Sequence, residues 1–153
     1  MTVDRKALIG RALRAATYTV SEIDVNDFLG VVVEPDFAPA DGSEGRAEAA
    51  SGRLAPPSFA PFVAVLGLLK TFDWQEDFLF DYRTGTAMFG EQAIEFHRPL
   101  LGGETVAISA AISDVCEKQG KQTFDVIEVT FDIKSREEGD LLMSGQQSYI
   151  LFR

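Results

Sequence analysis

One cysteine and one histidine among 153 residues remove several kinds of chemistry before any pattern is read. A lone Cys116 closes no internal disulfide and supplies no thiolate cluster for a structural metal. It reads as an inert small hydrophobe, because a nucleophile needs a base beside it and none is suggested. Basic residues are also scarce. Lys and Arg number 14 against 24 Asp and Glu, a formal charge of -10, which argues against binding nucleic acid by neutralising phosphates. The opening MTVDRKALIGRAL lacks the long apolar core of a signal peptide, so a cytoplasmic location is expected. No cofactor and no metal are expected either. The acids Asp73, Glu76, Asp77 and Asp81 lack the spacing of a calcium loop and read as a solvated face.

What is present points to one globular unit. Hydrophobic residues at 46% and charged residues at 25% fit a single packed domain spanning residues 1–153. Its centre is the stretch 54–72, LAPPSFAPFVAVLGLLKTF. Pro56 and Pro57 force an extended approach, Ser58 is placed to cap a helix, and Pro61 is tolerated in the first turn. The helix expected over 59–72 carries Phe59, Phe62, Val63, Val65, Leu66, Leu68, Leu69 and Phe72. Apolar on every side, it is expected to be buried throughout. It is too short and too proline-flanked to span a bilayer, which takes about 20 residues.

Around that helix the code changes twice. Residues 6–13 suggest a short amphipathic helix with Leu8, Ile9 and Leu13 on one side, and 17–20 a short strand. Ser21 looks like an N-cap with Asp24 three residues on, starting a helix that turns Ile23, Phe28 and Leu29 inward and ends near Gly30. Residues 31–53 lose all periodicity, and a loop of that length just before the central helix reads as functional. From 86 onward strands follow one another. They cover 86–98 with a bulge at Gly90, then 104–116 with Val106, Ile108, Ala110 and Ile112 on one face. The next covers 123–134, with a change of parity near Val126 that suggests a bulge or strong twist there, and the last covers 141–152. One buried helix wrapped by an antiparallel sheet is an α+β solution of the hotdog type.

The segments LAPPSF (54–59), GEQAIEFHRPL (90–100), GGET (102–105) and the ending GDLLMSGQQSYI resemble the MaoC-like hydratase/dehydratase superfamily. They are similar to its FAS1-like, N-terminal or accessory type, and to actinobacterial hydroxyacyl-ACP dehydratase accessory subunits, from about Tyr18 to the end. That resemblance implies reversible addition of water to a 2-enoyl thioester on CoA or acyl carrier protein. It implies an Asp–His acid–base pair between the first helix and the central one, and a backbone N–H at the start of the central helix to stabilise the thioester oxyanion. It also implies pairing of two such domains.

Carried over residue by residue, the helix start is present at 57–59, whereas the segment 30–42 offers Glu34, Asp36 and Asp41 without a histidine. The one histidine, His97, lies in the EFHRPL strand. As a local motif the pair is missing, so no catalytic residue is assigned, and Asp36, Asp41 and His97 are the candidates for a rebuilt pair. Pro56, Pro57, Ser58, Phe59, Phe62 and Phe37 are the candidates for substrate binding, with Phe28 among the aromatics that could wall an acyl tunnel. The reading is a non-catalytic subunit of an (R)-specific enoyl-thioester hydratase or 3-hydroxyacyl-thioester dehydratase, shaping the tunnel for a catalytic hotdog partner in a heterodimer or heterotetramer. The alternatives are a self-sufficient homodimeric hydratase or thioesterase, and a module that binds an acyl thioester without transforming it. A hotdog thioesterase usually needs an acid on or beside the central helix, and 59–72 has none.

Overall fold

The structure is a computed structural model, and it describes residues 4–31, 54–72 and 87–153. The strands are β1 (Ala16–Thr19), β2 (Met88–Phe96), β3 (Thr105–Gln119), β4 (Thr123–Ser135) and β5 (Leu141–Phe152), and the helices are α1 (Glu22–Val31) and α2 (Ala60–Thr71). All five strands form one antiparallel sheet in the order β1-β3-β4-β5-β2. Consecutive β3, β4 and β5 are hairpin neighbours because tight turns join them; Gly139, at φ 77°, supplies the left-handed residue of the β4–β5 turn. The helix α2 lies over β1 and β3 on the inward face.

The expected inward set on β3, Val106, Ile108, Ala110 and Ile112, is buried in the core. Close approach of helix and sheet depends on Gly67, where an added Cβ would stand 2.8 Å from the Ile108 side chain. Arg14 caps the far end of α2 by donating to the Lys70 carbonyl at 3.2 Å, and the Lys70 ammonium sits 5.2 Å from the centre of the Tyr18 ring. Ser21 caps α1 as expected, accepting from the Asp24 amide at 3.2 Å.

Several expectations are corrected. Residues 6–13 do not form an amphipathic helix: a single 3-10 turn covers Arg5–Leu8, after which Gly10, Ala12 and Leu13 join the edge of β3 by backbone pairing. Sheet pairing there satisfies backbone groups that a short, isolated helix would leave open. In α1 it is Val25 that turns inward with Leu29, while Ile23 is exposed, and the helix runs one residue past Gly30. Ser58 is not the cap of α2. A 3-10 turn over Pro57–Phe59 precedes the helix, and Phe59 holds the cap position with no side-chain bond.

The central helix is not buried all round either. Phe62, Leu66 and Leu69 are 53%, 43% and 38% exposed and share one stripe by their spacing. A helix lying on one sheet face covers only the stripe that faces the sheet. The bulge expected near Val126 lies instead in β3 at Ser113, between the pairs Ile112 with Val129 and Asp114 with Glu128. Alternation along β4 is unbroken, with Asp125 at the inward position and Phe124 facing out against Phe152, ring centroids 5.5 Å apart. The Gly90 bulge is where the sequence places it: Phe89 pairs with Tyr149 and Gln92 with Gln147, one residue too many on β2.

Among the described residues no helix is long and apolar enough to cross a membrane.

Candidate functional site

A pocket of about 240 Å³ opens where the start of α2 meets the end of β2. Its walls come from Pro56, Pro57 and Ala60 on one side and Phe96 to Leu100 on the other. Two features of the sequence build it. Pro56 holds an extended conformation (φ -66°, ψ 152°), so the chain arrives at the helix straight. That extended arm is tied to the segment after β2, the Ala55 amide donating to the Leu100 carbonyl at 2.8 Å and Leu54 bridging Leu101. The lining is proline, alanine, leucine and phenylalanine for the most part, so the space suits an apolar fragment of a ligand.

Beside the pocket, Phe28 of α1 packs with Phe59 and Phe62 of the helix start. Their ring centroids lie 5.4, 5.7 and 5.9 Å apart, with Phe28 edge-on to both others. Phe59 is buried while Phe62 is half-exposed, so the cluster has a solvent-side surface. Three of the four aromatics singled out in the sequence as a tunnel wall thus meet at one point. The fourth, Phe37, lies outside the described residues, as do Asp36, Asp41, the acidic group Asp73, Glu76, Asp77 and Asp81, and most of the loop 31–53.

His97 lies in the wall of the pocket, but its imidazole bonds Ser144 through Nε2 at 3.0 Å and is exposed. Met143 is fully buried on the core face, so its neighbour Ser144 points to the opposite face of the sheet, and the imidazole goes with it. The structure therefore brings the backbone of the His97 segment to the helix start while turning the ring towards the outer face. Ser58 belongs to the 3-10 turn at the helix start.

Arg98, next to it, braces the pocket wall. Its guanidinium meets Glu104 at 2.6 Å, Asp140 at 2.6 Å and Glu138 at 3.2 Å, and donates to the Pro99 carbonyl. Hydrogen bonds that Arg98 donates to Glu104 and then to Asp140 hold it well above the usual arginine range, and Arg98 in turn holds the Asp140 carboxyl below the usual carboxylate range. A guanidinium so engaged shapes the turn and is not a mobile phosphate ligand. Sequence reasoning did not single out Arg98; three acids at 104, 138 and 140 around one arginine meet only through the fold. Among the described residues, no group of three or more His, Cys, Asp and Glu is placed to hold a metal ion.

A family model described as FAS1-like, dehydratase domain region, matches residues 7–143. No curated protein matches the sequence. Among solved structures the chain is similar to the C-terminally truncated HadBC (3R-hydroxyacyl-ACP dehydratase) complex from Mycobacterium tuberculosis, at 19% identity and TM-score 0.65, covering 98% of this chain and 99% of that one. It is also similar to the MaoC-like dehydratase from Rhodospirillum rubrum, at 11% identity and TM-score 0.65, covering 95% and 92%. The ChsH1-ChsH2 complex from Mycobacterium tuberculosis matches at 20% identity and TM-score 0.59, covering 96% and 86%. Likeness at these identities carries the fold, which is the hotdog.

Proposed function

The chain belongs to the FAS1-like dehydratase domain family of the MaoC-like hotdog superfamily, and from that premise we propose that it is the non-catalytic subunit of a heteromeric enoyl-thioester hydratase or dehydratase. In this reading a hotdog partner supplies the Asp–His pair, and this chain completes the sheet and shapes the acyl-binding space with the start of α2, the Phe28–Phe59–Phe62 cluster and the loop 31–53. The ligand is an acyl thioester on CoA or acyl carrier protein. The net charge of -10 disfavours an acyl carrier protein docking directly on this chain, because carrier proteins are themselves acidic and like charges repel.

The observation that carries the reading is His97. It is the chain's one histidine, and its imidazole is turned onto the outer face of the sheet with Ser144. Removal of the α-proton needs a base within hydrogen-bond reach of the substrate, and an imidazole on the far face has no such reach. Two structural neighbours are described as complexes, HadBC and ChsH1-ChsH2, which supports a hotdog partner for this chain as well. The edge strand β2 exposes Met88, Phe89 and Phe96, and an apolar open edge is where such a partner would pair.

The test is hydration of crotonyl-CoA and longer enoyl-CoA esters by the purified chain, alone and co-expressed with a candidate catalytic hotdog protein that carries the Asp–His pair. Turnover in the pair and none alone is expected. Robust turnover by the chain alone would overturn the subunit reading in favour of a self-sufficient homodimer, for which His97 in the pocket wall is the supporting feature. In that event His97→Gln, Asp36→Asn and Asp41→Asn become the decisive variants.

A further inference from the structure

The outer face of the sheet changes character along its strands. Over most of their length it is polar, as the solvent side of an antiparallel sheet should be: Ser109, Thr130, Asp132, Ser144 and Gln146 stand there. Towards the β3–β4 turn it becomes apolar. Val115, Asp125, Ile127, Tyr149 and Leu151 are buried on the core side, so alternation turns Cys116, Phe124, Val126, Ile150 and Phe152 outward. Strand register sets these side chains in two rows. Cys116 pairs with Val126, Val126 with Ile150 and Ile150 with Met88, a row that crosses four strands. Phe124 pairs with Phe152 in the row beside it. Met88 is exposed and the other five are half-buried. Here the strands are apolar on both faces, and only one face meets the core.

The two borders of this band carry opposite charges. On the turn side stand Lys118, paired with Phe124, and Lys121. On the other side Asp114 pairs with Glu128, and Glu91 lines the same depression as Glu128. A face with lysines at one border and carboxylates at the other is complementary to itself after half a turn about an axis lying across the strands. That operation lays Phe124 and Phe152 of one copy over Val126 and Ile150 of the other. It also brings Lys118 and Lys121 to Asp114 and Glu128, twice over by symmetry. A partner charged with one sign throughout would meet repulsion at one border.

We propose that this band is an interface between two copies of this chain, packed outer face to outer face. The inference does not rest on the thioester reading. It leaves the β2 edge open to a hotdog partner, so two copies, each with its partner, make a heterotetramer. The band and its charged borders span about 20 Å along the strands and about 14 Å across them, at ~3.4 Å per residue and ~4.8 Å per strand. That is less than the roughly 800 Å² per partner of a standard interface, so the copies should pair at tens of micromolar and separate on dilution.

Sedimentation equilibrium on the chain as purified, with its partner subunit where one copurifies, tests this at about 200 µM and about 5 µM. Particles at the higher concentration should hold twice as many copies of the chain as those at the lower. One charge-swap variant, Lys118→Glu with Lys121→Glu, carries acids at both borders, and another, Asp114→Lys with Glu128→Lys, carries lysines at both. Each alone should lose the doubling, its Kd raised about tenfold or more, and an equal mixture should regain it because every acid border then meets a lysine border. No doubling in wild type, doubling retained by either variant alone, or a mixture that stays apart overturns the proposal. A measurement on wild type guards against variants that fold poorly. Cys116 lies in the band and is the chain's one cysteine, so its alkylation under a fixed excess of iodoacetamide should slow severalfold on concentration. An unchanged rate rejects the contact.

Discussion

At the scale of single residues, Asp125 shows how one side chain can set a pattern that looks like an error in the sequence. Phe124 and Val126 fall on the opposite parity to Ile127, Val129, Phe131 and Ile133 because the inward position between them is taken by a carboxylate. That carboxylate is fully buried and pairs with Arg5 at 2.7 Å and Arg153 at 2.6 Å, joining the start of the chain to its end. A buried charge of this kind is tolerable only with its partners in place. Truncating it leaves two guanidinium groups facing a cavity, so Asp125→Ala is expected to cost about 3–5 kcal/mol and lower the melting temperature by roughly 10 °C. Circular dichroism melts decide this; a drop of less than about 2 °C, the lower end of what 1 kcal/mol does in a chain of this size, would refute the clamp.

At the scale of elements, the edge strand β2 is held close by what β5 lacks. An added Cβ at Gly145 would stand 2.1 Å from the Ala93 carbonyl oxygen and 3.0 Å from the Phe131 ring, so neither strand nor core has room for a methyl group. Gly145→Ala should cost about 1–3 kcal/mol as β2 is pushed from its partner. The sharper readout is local: amide exchange should quicken in β2 while β4, paired on both sides, keeps its protection. Uniform quickening, or none, would mean that the strands accommodate the methyl group together. The helix α2 is the complementary case. Its existence and its proline-marked start follow from composition and spacing alone. Which stripe stays exposed did not, because no periodicity appears in a helix that is apolar on every side.

For the whole molecule, the two sheet edges are unequal. β1 is short, and the Gly10–Leu13 segment continues backbone pairing along β3 beyond it, whereas β2 presents Met88, Phe89 and Phe96 to solvent. If a hotdog partner pairs along β2, a charge there should block it at little cost to the fold, since Phe89 is already half-exposed. Phe89→Glu is expected to sediment as a single chain where wild type sediments with its partner. An unchanged assembly would place the interface elsewhere.

The sequence by itself determined the fold class and the family. An apolar helix flanked by prolines, followed by long alternating strands with tight turns, has few ways to cover itself, and one sheet curled on one helix is the solution the periodicity allows. It also determined that the segment 30–42 holds acids without a histidine, because a residue type missing from a segment is missing in any conformation. Local signals held where they are self-contained: the Ser21 cap and the Gly90 bulge depend on near neighbours or on one chain's count against another. The tertiary structure alone decided everything that joins distant positions. Nothing in the chain order says that Phe28 meets Phe59, that Arg98 gathers Glu104, Glu138 and Asp140, or that Gln92 reaches Tyr149 through Gln147. Those contacts arise from strand register and from the placement of α1 and α2 on the sheet, and these follow from the packing of the whole chain rather than from the spacing within any one segment.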